Sequence, residues 1–243
     1  MQAECNNLAQ YLVHENQLSD IIDLLSYNRK IVLTQDVKGW TPLHEAAMHG
    51  GNPLMISFLI ANGVDALTKT KAGNTALDLL RGSRPRVSAS DNDHAVNIFK
   101  LSEIILKNAE KGKGLDGNDI DKEAIDHSNE AILTMPVLAN GLVFYGLKNE
   151  LEELYYLNPE VIDESDENGW TPLHESARTG NVDISIFLIE KGADIFKRTL
   201  DGKTAMDVAK KYAKTAKKEA SNEVLQLFSN MKESKLQQKK YLR

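Results

Sequence analysis

The residues of this chain best suited to chemistry are two histidines beside a glutamate. His44, Glu45 and His49 resemble the zinc-binding helix of a metalloprotease, in which the two histidines stand four residues apart. Here they stand five residues apart, so they point about 140° away from one another around a helix. The stretch therefore predicts no zinc site, and we expect no metal ligands in it.

A glycine-rich segment at 112–117 carries the letters of a dinucleotide-binding loop. Such a loop joins a strand to a helix inside a βαβ unit, whereas this segment follows a predicted helix. The neighbouring acids do not form a calcium loop: counted from Asp116, the sixth position is Asp121 instead of glycine and the twelfth is His127 instead of glutamate. No serine, cysteine and histidine constellation stands out. We expect no catalytic residue, no cofactor and no enzyme activity.

The strongest signal in the chain is a ten-residue segment that occurs twice. Residues 38–47 read KGWTPLHEAA, and residues 168–177 read NGWTPLHESA. Weaker echoes, GNTALD at 73–78 and GKTAMD at 202–207, follow 34 and 33 positions later, counted from glycine to glycine. A period of about 33 residues indicates a repeat protein, a class that usually acts by holding partners.

These segments resemble the ankyrin-repeat family over most of the chain. The resemblance rests on two Thr-Pro-Leu-His cores and their flanking positions: 41–44, 171–174, Asp36, Gly39, Asn62, Gly63, Asp65, Asp166, Gly169, Gly192, Ala193 and Asp194. It implies stacked pairs of short helices joined by projecting turns or hairpins.

The local physics of each motif agrees with that resemblance. Thr41 can cap a helix, and Pro42 suits the first turn, where its missing N–H costs nothing. His44 stands three residues after the cap and can hydrogen-bond back to Thr41. The echoes predict the same box with a carboxylate, in the pairs Thr75 with Asp78 and Thr204 with Asp207.

The repetition also exists at a higher level, because a shift of 130 positions aligns the two halves. Helix pairs are predicted at 4–28, 41–62, 75–110, 135–157, 171–191 and 204–231. We predict an all-α ankyrin-type solenoid of about six helix pairs, arranged as two three-pair units. The predicted parts are a first unit at 1–110, an acidic, glycine-containing linker or insertion at 111–133, a second unit at 134–231 and a basic tail at 232–243. The sequence leaves open whether the units form one continuous array.

Composition bears on disulfide bonding, membrane insertion and cellular location. The chain has 243 residues, 42% of them hydrophobic, and its one cysteine, Cys5, excludes an intramolecular disulfide. No signal peptide is visible, and the longest uncharged stretch, 131–147, is too short and too interrupted to predict a membrane span. We expect a cytoplasmic location, with the nucleus as the alternative.

Charge is unevenly distributed along the chain. The net charge is −6, yet residues 210–243 hold ten Lys or Arg and only three Glu. We interpret the lysine stripe at 210–218 as a solvated outer face, with a nuclear-import patch as the alternative. The acidic remainder disfavours nucleic-acid binding and favours a protein partner with a basic segment.

Surface recognition is the remaining hypothesis. Ankyrin-like folds commonly meet partners through the projecting turns and the inner face of the first helices. That resemblance implies these candidate protein-binding residues: Lys38, Trp40, Met48, His49, Glu167, Asn168, Trp170, Arg178 and Lys203. The two tryptophans either anchor a partner or pack on an adjacent turn, and the sequence leaves both roles open.

We therefore expect a non-enzymatic protein–protein interaction module, an adaptor or scaffold, with no small-molecule substrate. The alternative is the targeting or regulatory ankyrin portion of a larger enzyme or enzyme complex. A shared fold carries many functions and does not decide between them.

Overall fold

In a computed structural model, the described residues are 2–83, 94–111, 136–213 and 222–231. The chain divides into two compact units, residues 1–133 and 134–243. All regular structure in the described ranges is helical, and none of it is strand, which confirms the predicted all-α class. The predicted linker at 111–133, apart from Lys111, and the predicted tail at 232–243 lie outside the described residues, as does the lysine stripe beyond Lys211.

Within its described residues, unit 1 contains three helix pairs, as predicted. Its helices are α1 (Gln2–His14), α2 (Leu18–Tyr27), α3 (Pro42–Met48), α4 (Pro53–Ala61), α5 (Ala76–Gly82) and α6 (His94–Ala109), with a 3-10 turn at Arg29–Leu33. The first helices form one layer, in which α3 packs between α1 and α5. The second helices α4 and α6 pack together in another layer.

Unit 2 repeats this arrangement. Its helices are α7 (Pro136–Phe144), α8 (Lys148–Leu157), α9 (Pro172–Thr179), α10 (Val182–Glu190), α11 (Ala205–Tyr212) and α12 (222–231), with a 3-10 turn at Pro159–Ile162. Here α9 takes the middle place and packs against both α7 and α11. Over the described ranges, the two units together give the six predicted helix pairs.

The middle second helix of unit 1 shows why the pairs stack. Helix α4 is apolar all round, and its residues 54–59 are buried. A helix with no polar face is stable only when neighbours cover it on several sides. Phe58 is almost fully buried, and covering a side chain of that size stabilises the fold by roughly 2–3 kcal/mol. In the described part of the chain, no helix has the length and apolarity needed to cross a membrane.

The Thr-Pro-Leu-His core connects each helix to the next repeat. The backbone N–H of Thr41 donates to His44 Nδ1 at 3.1 Å, and the Thr41 hydroxyl lies 2.8 Å from the same nitrogen. On the other side of the ring, Nε2 lies 3.3 Å from the carbonyl oxygen of Asn74. Because Nδ1 accepts, the ring proton belongs on Nε2 and is donated to Asn74. The histidine is thus a buried bridge between consecutive repeats.

Unit 2 contains the same bridge. Thr171 contacts His174 Nδ1 through its N–H at 3.2 Å and its hydroxyl at 2.8 Å, and His174 Nε2 lies 3.1 Å from the carbonyl oxygen of Lys203. Burial lowers the pKa of both His44 and His174, which keeps the imidazoles neutral. The predicted pairing of each histidine with its threonine is confirmed.

Candidate interaction surface

Each strong repeat begins with a turn that is closed by one aspartate. In unit 1, Asp36 Oδ1 accepts from the N–H of Lys38 at 2.8 Å and of Trp40 at 2.7 Å, while the Asp36 N–H donates to the Trp40 carbonyl at 2.8 Å. Asp166 makes the matching bonds to the N–H groups of Asn168 and Trp170 at 2.9 and 2.8 Å. These turns are therefore ordered before any partner arrives.

Neighbouring turns are also bonded to each other within each unit. The N–H of Lys71 donates to the Lys38 carbonyl at 2.9 Å, and the N–H of Leu200 donates to the Asn168 carbonyl at 2.9 Å. The close approach needs glycine at position 169, where an added Cβ would lie 2.8 Å from the Leu200 nitrogen and φ is +76°. Backbone bonds therefore fix the spacing of the turns, and their side chains are left to face outward.

The two tryptophans occupy equivalent places and are half-buried. The Trp40 ring centroid lies 6.2 Å from that of His44, and the Trp170 centroid lies 6.0 Å from that of His174. Their carbonyls accept from side-chain amides of the preceding first helix, because Gln10 donates to Trp40 at 3.1 Å and Asn140 to Trp170 at 3.3 Å. Each tryptophan thus packs against its own repeat and keeps an exposed edge, which is compatible with both roles that the sequence leaves open.

The other candidate residues differ in exposure. Six are exposed, namely Lys38, Met48, His49, Glu167, Asn168 and Lys203, whereas Arg178 is half-buried. The turns also expose large apolar side chains, Val37 at 84% and Leu200 at 80% of their surface. Leu200 is not among the residues predicted from sequence, because a lone leucine in a variable turn has no pattern that distinguishes it from a core residue.

A cluster of two histidines and one glutamate lies where the first helices of unit 1 end. Glu45 Oε1 is 3.0 Å from His14 Nδ1 and 3.1 Å from His49 Nε2. The two imidazole rings are in edge contact, with centroids 4.1 Å apart. His49, predicted as a partner-binding residue, is therefore joined to two residues that the sequence prediction did not include as candidates.

The equivalent place in unit 2 has a different composition. A shift of 130 residues replaces His14 with Phe144, Glu45 with Glu175 and His49 with Thr179. Glu175 there binds the guanidinium of Arg178, with Arg178 Nε 3.0 Å from Oε2 and Nη2 in contact with Oε1. The guanidinium carbon lies 4.8 Å above the Phe144 ring. The hydrogen bond to Glu175 raises the pKa of Arg178, so the guanidinium keeps its charge.

Comparison with known proteins identifies ankyrin repeats in both units. The family profile for three copies of the ankyrin repeat matches residues 142–231, and the single-repeat profile matches residues 38–71. A putative ankyrin repeat protein of Acanthamoeba polyphaga mimivirus is 27% identical over 147 residues, covering 56% of this chain and 25% of its own length.

Two further likenesses cover more of the chain. A palmitoyltransferase of Lachancea kluyveri is 25% identical over 194 residues, which is 80% of this chain and 23% of that protein. This chain therefore spans about a quarter of the length of these two relatives. Among solved structures, a chain from the complex of a predatory endopeptidase of Bdellovibrio bacteriovorus with an immunity protein is 24% identical, with a TM-score of 0.39, over 89% of this chain and 95% of that chain.

Proposed function

We propose that this chain, which belongs to the ankyrin-repeat family, is a non-enzymatic adaptor that binds a partner protein through its projecting turns and the exposed ends of its first helices. Ankyrin repeats are protein–protein interaction modules and are not catalytic in themselves.

The observation that carries the proposal is the exposure of large apolar side chains on rigid turns. Val37 and Leu200 are two of the three most exposed large hydrophobic side chains in the described residues. Their turns are nevertheless fixed by the Asp36 and Asp166 bonds and by the bonds between turns. Burying apolar area that is already held in place costs little conformational entropy on binding. Such side chains are therefore efficient contacts for a partner.

Charge supports a partner with a basic segment. The chain carries −6 overall although its last 34 residues are rich in lysine, so the repeats themselves are strongly acidic. The exposed turns include Glu167 and Asp201 beside the apolar tips. Opposite charge speeds the encounter and disfavours wrong partners.

The test uses a double variant of the turn tips. The full chain is used as bait in a pull-down, the captured protein is produced separately, and its affinity is measured for wild type and for Val37→Ser with Leu200→Ser. We expect at least about a tenfold loss of affinity, since burying a valine or leucine side chain contributes about 1.5–3 kcal/mol. Both side chains are exposed, so the fold should keep its stability.

A matched control removes exposed aromatic residues elsewhere. Tyr27 and Tyr156 lie on the second helices and are as exposed as the turn tips. Tyr27→Ser with Tyr156→Ser should leave the affinity unchanged. If this control weakens binding and the turn variant does not, the proposed surface is wrong.

A second candidate is an ankyrin portion that targets or regulates an enzyme. Its support is the match to the palmitoyltransferase, of which this chain resembles 23%. In this case the captured partner would be a catalytic chain. Adding this protein would then change the turnover of that partner or its choice of substrate, whereas an adaptor without a regulatory role would leave both unchanged.

A further inference from the structure

We propose that His14, Glu45 and His49 form a binding site for one divalent transition-metal ion, with Zn²⁺ as the expected occupant. The ligand atoms are His14 Nδ1, Glu45 Oε1 and His49 Nε2, which all lie within 4.8 Å of one another. Two imidazoles and one carboxylate are a ligand set that Zn²⁺ uses with a fourth position left for water.

Both distances from the carboxylate oxygen fit that coordination, and the two imidazole nitrogens lie within 4.8 Å of each other. With zinc–ligand bonds of about 2.0–2.1 Å, neighbouring ligand atoms of a tetrahedron stand roughly 3.3 Å apart. Glu45 Oε1 is 3.0 Å from one imidazole nitrogen and 3.1 Å from the other. An ion can therefore enter with small side-chain rotations, and its bonds would replace the two contacts that the carboxylate now makes.

A second carboxylate stands behind one of the ligands. Glu15 Oε1 lies 3.9 Å from His14 Nε2, on the opposite side of the ring from Nδ1. Metal-binding histidines commonly direct their second nitrogen to a carboxylate, which fixes the ring and makes it a better donor. At 3.9 Å Glu15 does not hydrogen-bond the ring, so it supplies a nearby negative charge and does not fix the ring orientation.

The backbone around the cluster is held in place. Asn16, which has a left-handed φ of +56°, accepts from the side chain of Asn52 at 2.8 Å, so the end of α1 is joined to the turn after α3. The backbone N–H of His49 donates to the Glu45 carbonyl at 3.1 Å and closes the last turn of α3. The three ligands therefore come from two elements whose separation is fixed before any metal binds.

Unit 2 supplies an internal contrast. Its equivalent glutamate, Glu175, is already neutralised by Arg178, and no histidine stands at either neighbouring position. In the part of the chain that the structure describes, Glu45 has no arginine or lysine in contact. In unit 1 the carboxylate of Glu45 contacts two imidazoles, whereas in unit 2 the carboxylate of Glu175 is paired with the guanidinium of Arg178. Among the described residues, only unit 1 therefore has a metal site, and we expect one metal ion per chain.

The experiment is a calorimetric Zn²⁺ titration of the full chain, produced without a histidine tag and freed of metal with a chelator. Wild type should bind one equivalent. The variants His14→Phe and His49→Thr carry the residues that unit 2 uses at these positions, so the fold should accept them. Each should weaken Zn²⁺ binding by about 100-fold or more, because each removes a direct ligand.

His94→Asn is the matched control, because His94 is an exposed histidine of the same unit outside the cluster. It should bind like wild type. Replacing Zn²⁺ with Co²⁺ should give a visible spectrum for nitrogen and oxygen ligands, without a thiolate charge-transfer band. The proposal is overturned if wild type shows no saturable binding, if both ligand variants bind as tightly as wild type, or if a thiolate band places the ion on Cys5.

Discussion

The two units share their internal bonds and differ in the surface cluster at the ends of their first helices. In both, threonine, histidine and a carbonyl of the next turn form the same buried bridge with nearly the same distances. At the helix ends, one unit has two histidines around Glu45, and the other has Arg178 against Glu175. Side chains that satisfy the backbone are kept in both copies, whereas side chains that face solvent have diverged.

The difference shows how one scaffold can carry two surface chemistries. Glu45 and Glu175 occupy equivalent positions in the first turns of α3 and α9. There each negative charge interacts favourably with the positive end of the helix dipole. The partner side chains, those of His14, His49 and Arg178, pair with carboxylates and not with the backbone of a neighbouring repeat, so exchange there does not disturb the stack.

The largest effect is expected where turns approach each other. An alanine at Gly169 would place its Cβ 2.8 Å from the backbone nitrogen of Leu200, whereas at Gly202 nothing lies within 4 Å. Both positions have positive φ, which costs an alanine about 1 kcal/mol. Overpacking adds roughly 1–3 kcal/mol at Gly169 alone. Urea unfolding should show the difference, and equal losses would contradict the close approach.

Each unit can be followed separately, because it contains one of the two tryptophans. Trp40→Phe leaves Trp170 as the fluorescent reporter of unit 2, and Trp170→Phe leaves Trp40 for unit 1. In these backgrounds, Gly39→Ala should destabilise unit 1 more than Gly73→Ala does. An alanine at position 39 would place its Cβ 2.9 Å from the Lys71 nitrogen, whereas nothing lies within 4 Å at position 73.

The next largest effect concerns the histidine bridges. Replacing His44 or His174 with Ala leaves the buried threonine N–H without a partner and removes one of the hydrogen bonds to the carbonyl of the next turn, which costs about 2 kcal/mol. The reporter tryptophan of the affected unit should show the loss in urea. Similar losses in both units would support the shared scaffold. A loss confined to one unit would show that the two bridges are not equivalent.

A smaller effect is expected from the divergent cluster. Arg178→Met carries the residue that unit 1 has at the equivalent position, Met48, and leaves the largely buried Glu175 without its cation. We expect a loss of about 1–2 kcal/mol in unit 2, reduced by the partial exposure of the arginine. The matched change in unit 1, Met48→Ala, should cost less than about 0.5 kcal/mol because that side chain is exposed. Urea midpoints measure both changes.

The smallest effect is a dependence of unit 2 stability on pH. Burial lowers the folded-state pKa of His174, so below about pH 6.5 the unfolded chain binds a proton that the folded chain does not. The stabilisation is complete above that pH and is lost as the pH falls toward the folded-state pKa. Urea midpoints of unit 2 should therefore decline on acidification, and His174→Gln should flatten that decline. An unchanged slope in the variant would exclude His174 as the source.

The sequence predicted the helix pairs and their caps closely, because these features depend on contacts between residues close together in the chain. A capping threonine contacts a residue three positions later, and the helix pairs repeat at a nearly constant period. The paired capping boxes at Thr75 with Asp78 and Thr204 with Asp207 are confirmed for the same reason. In both, hydrogen bonding to the threonine lowers the pKa of the aspartate.

The cluster could not be predicted in the same way. His14 lies 31 residues before Glu45, outside the strong motif, and no period connects them. Sequence reasoning paired His49 with His44 and correctly found that they point apart, but the neighbours of His49 are Glu45 and His14. Similarly, no sequence pattern around Leu200 distinguishes this exposed leucine from a buried one.

The amino-acid sequence by itself determined the family, the helix pairs and the capping bonds within each repeat. These depend on short-range capping and on a repeated apolar pattern, and both can be recognised from the order of residues in the sequence. Only the tertiary structure decided which side chains meet across the first helices and which apolar residues remain in solvent. Those outcomes depend on the packing of α1 against α3 and of α7 against α9, which brings together residues about 30 positions apart.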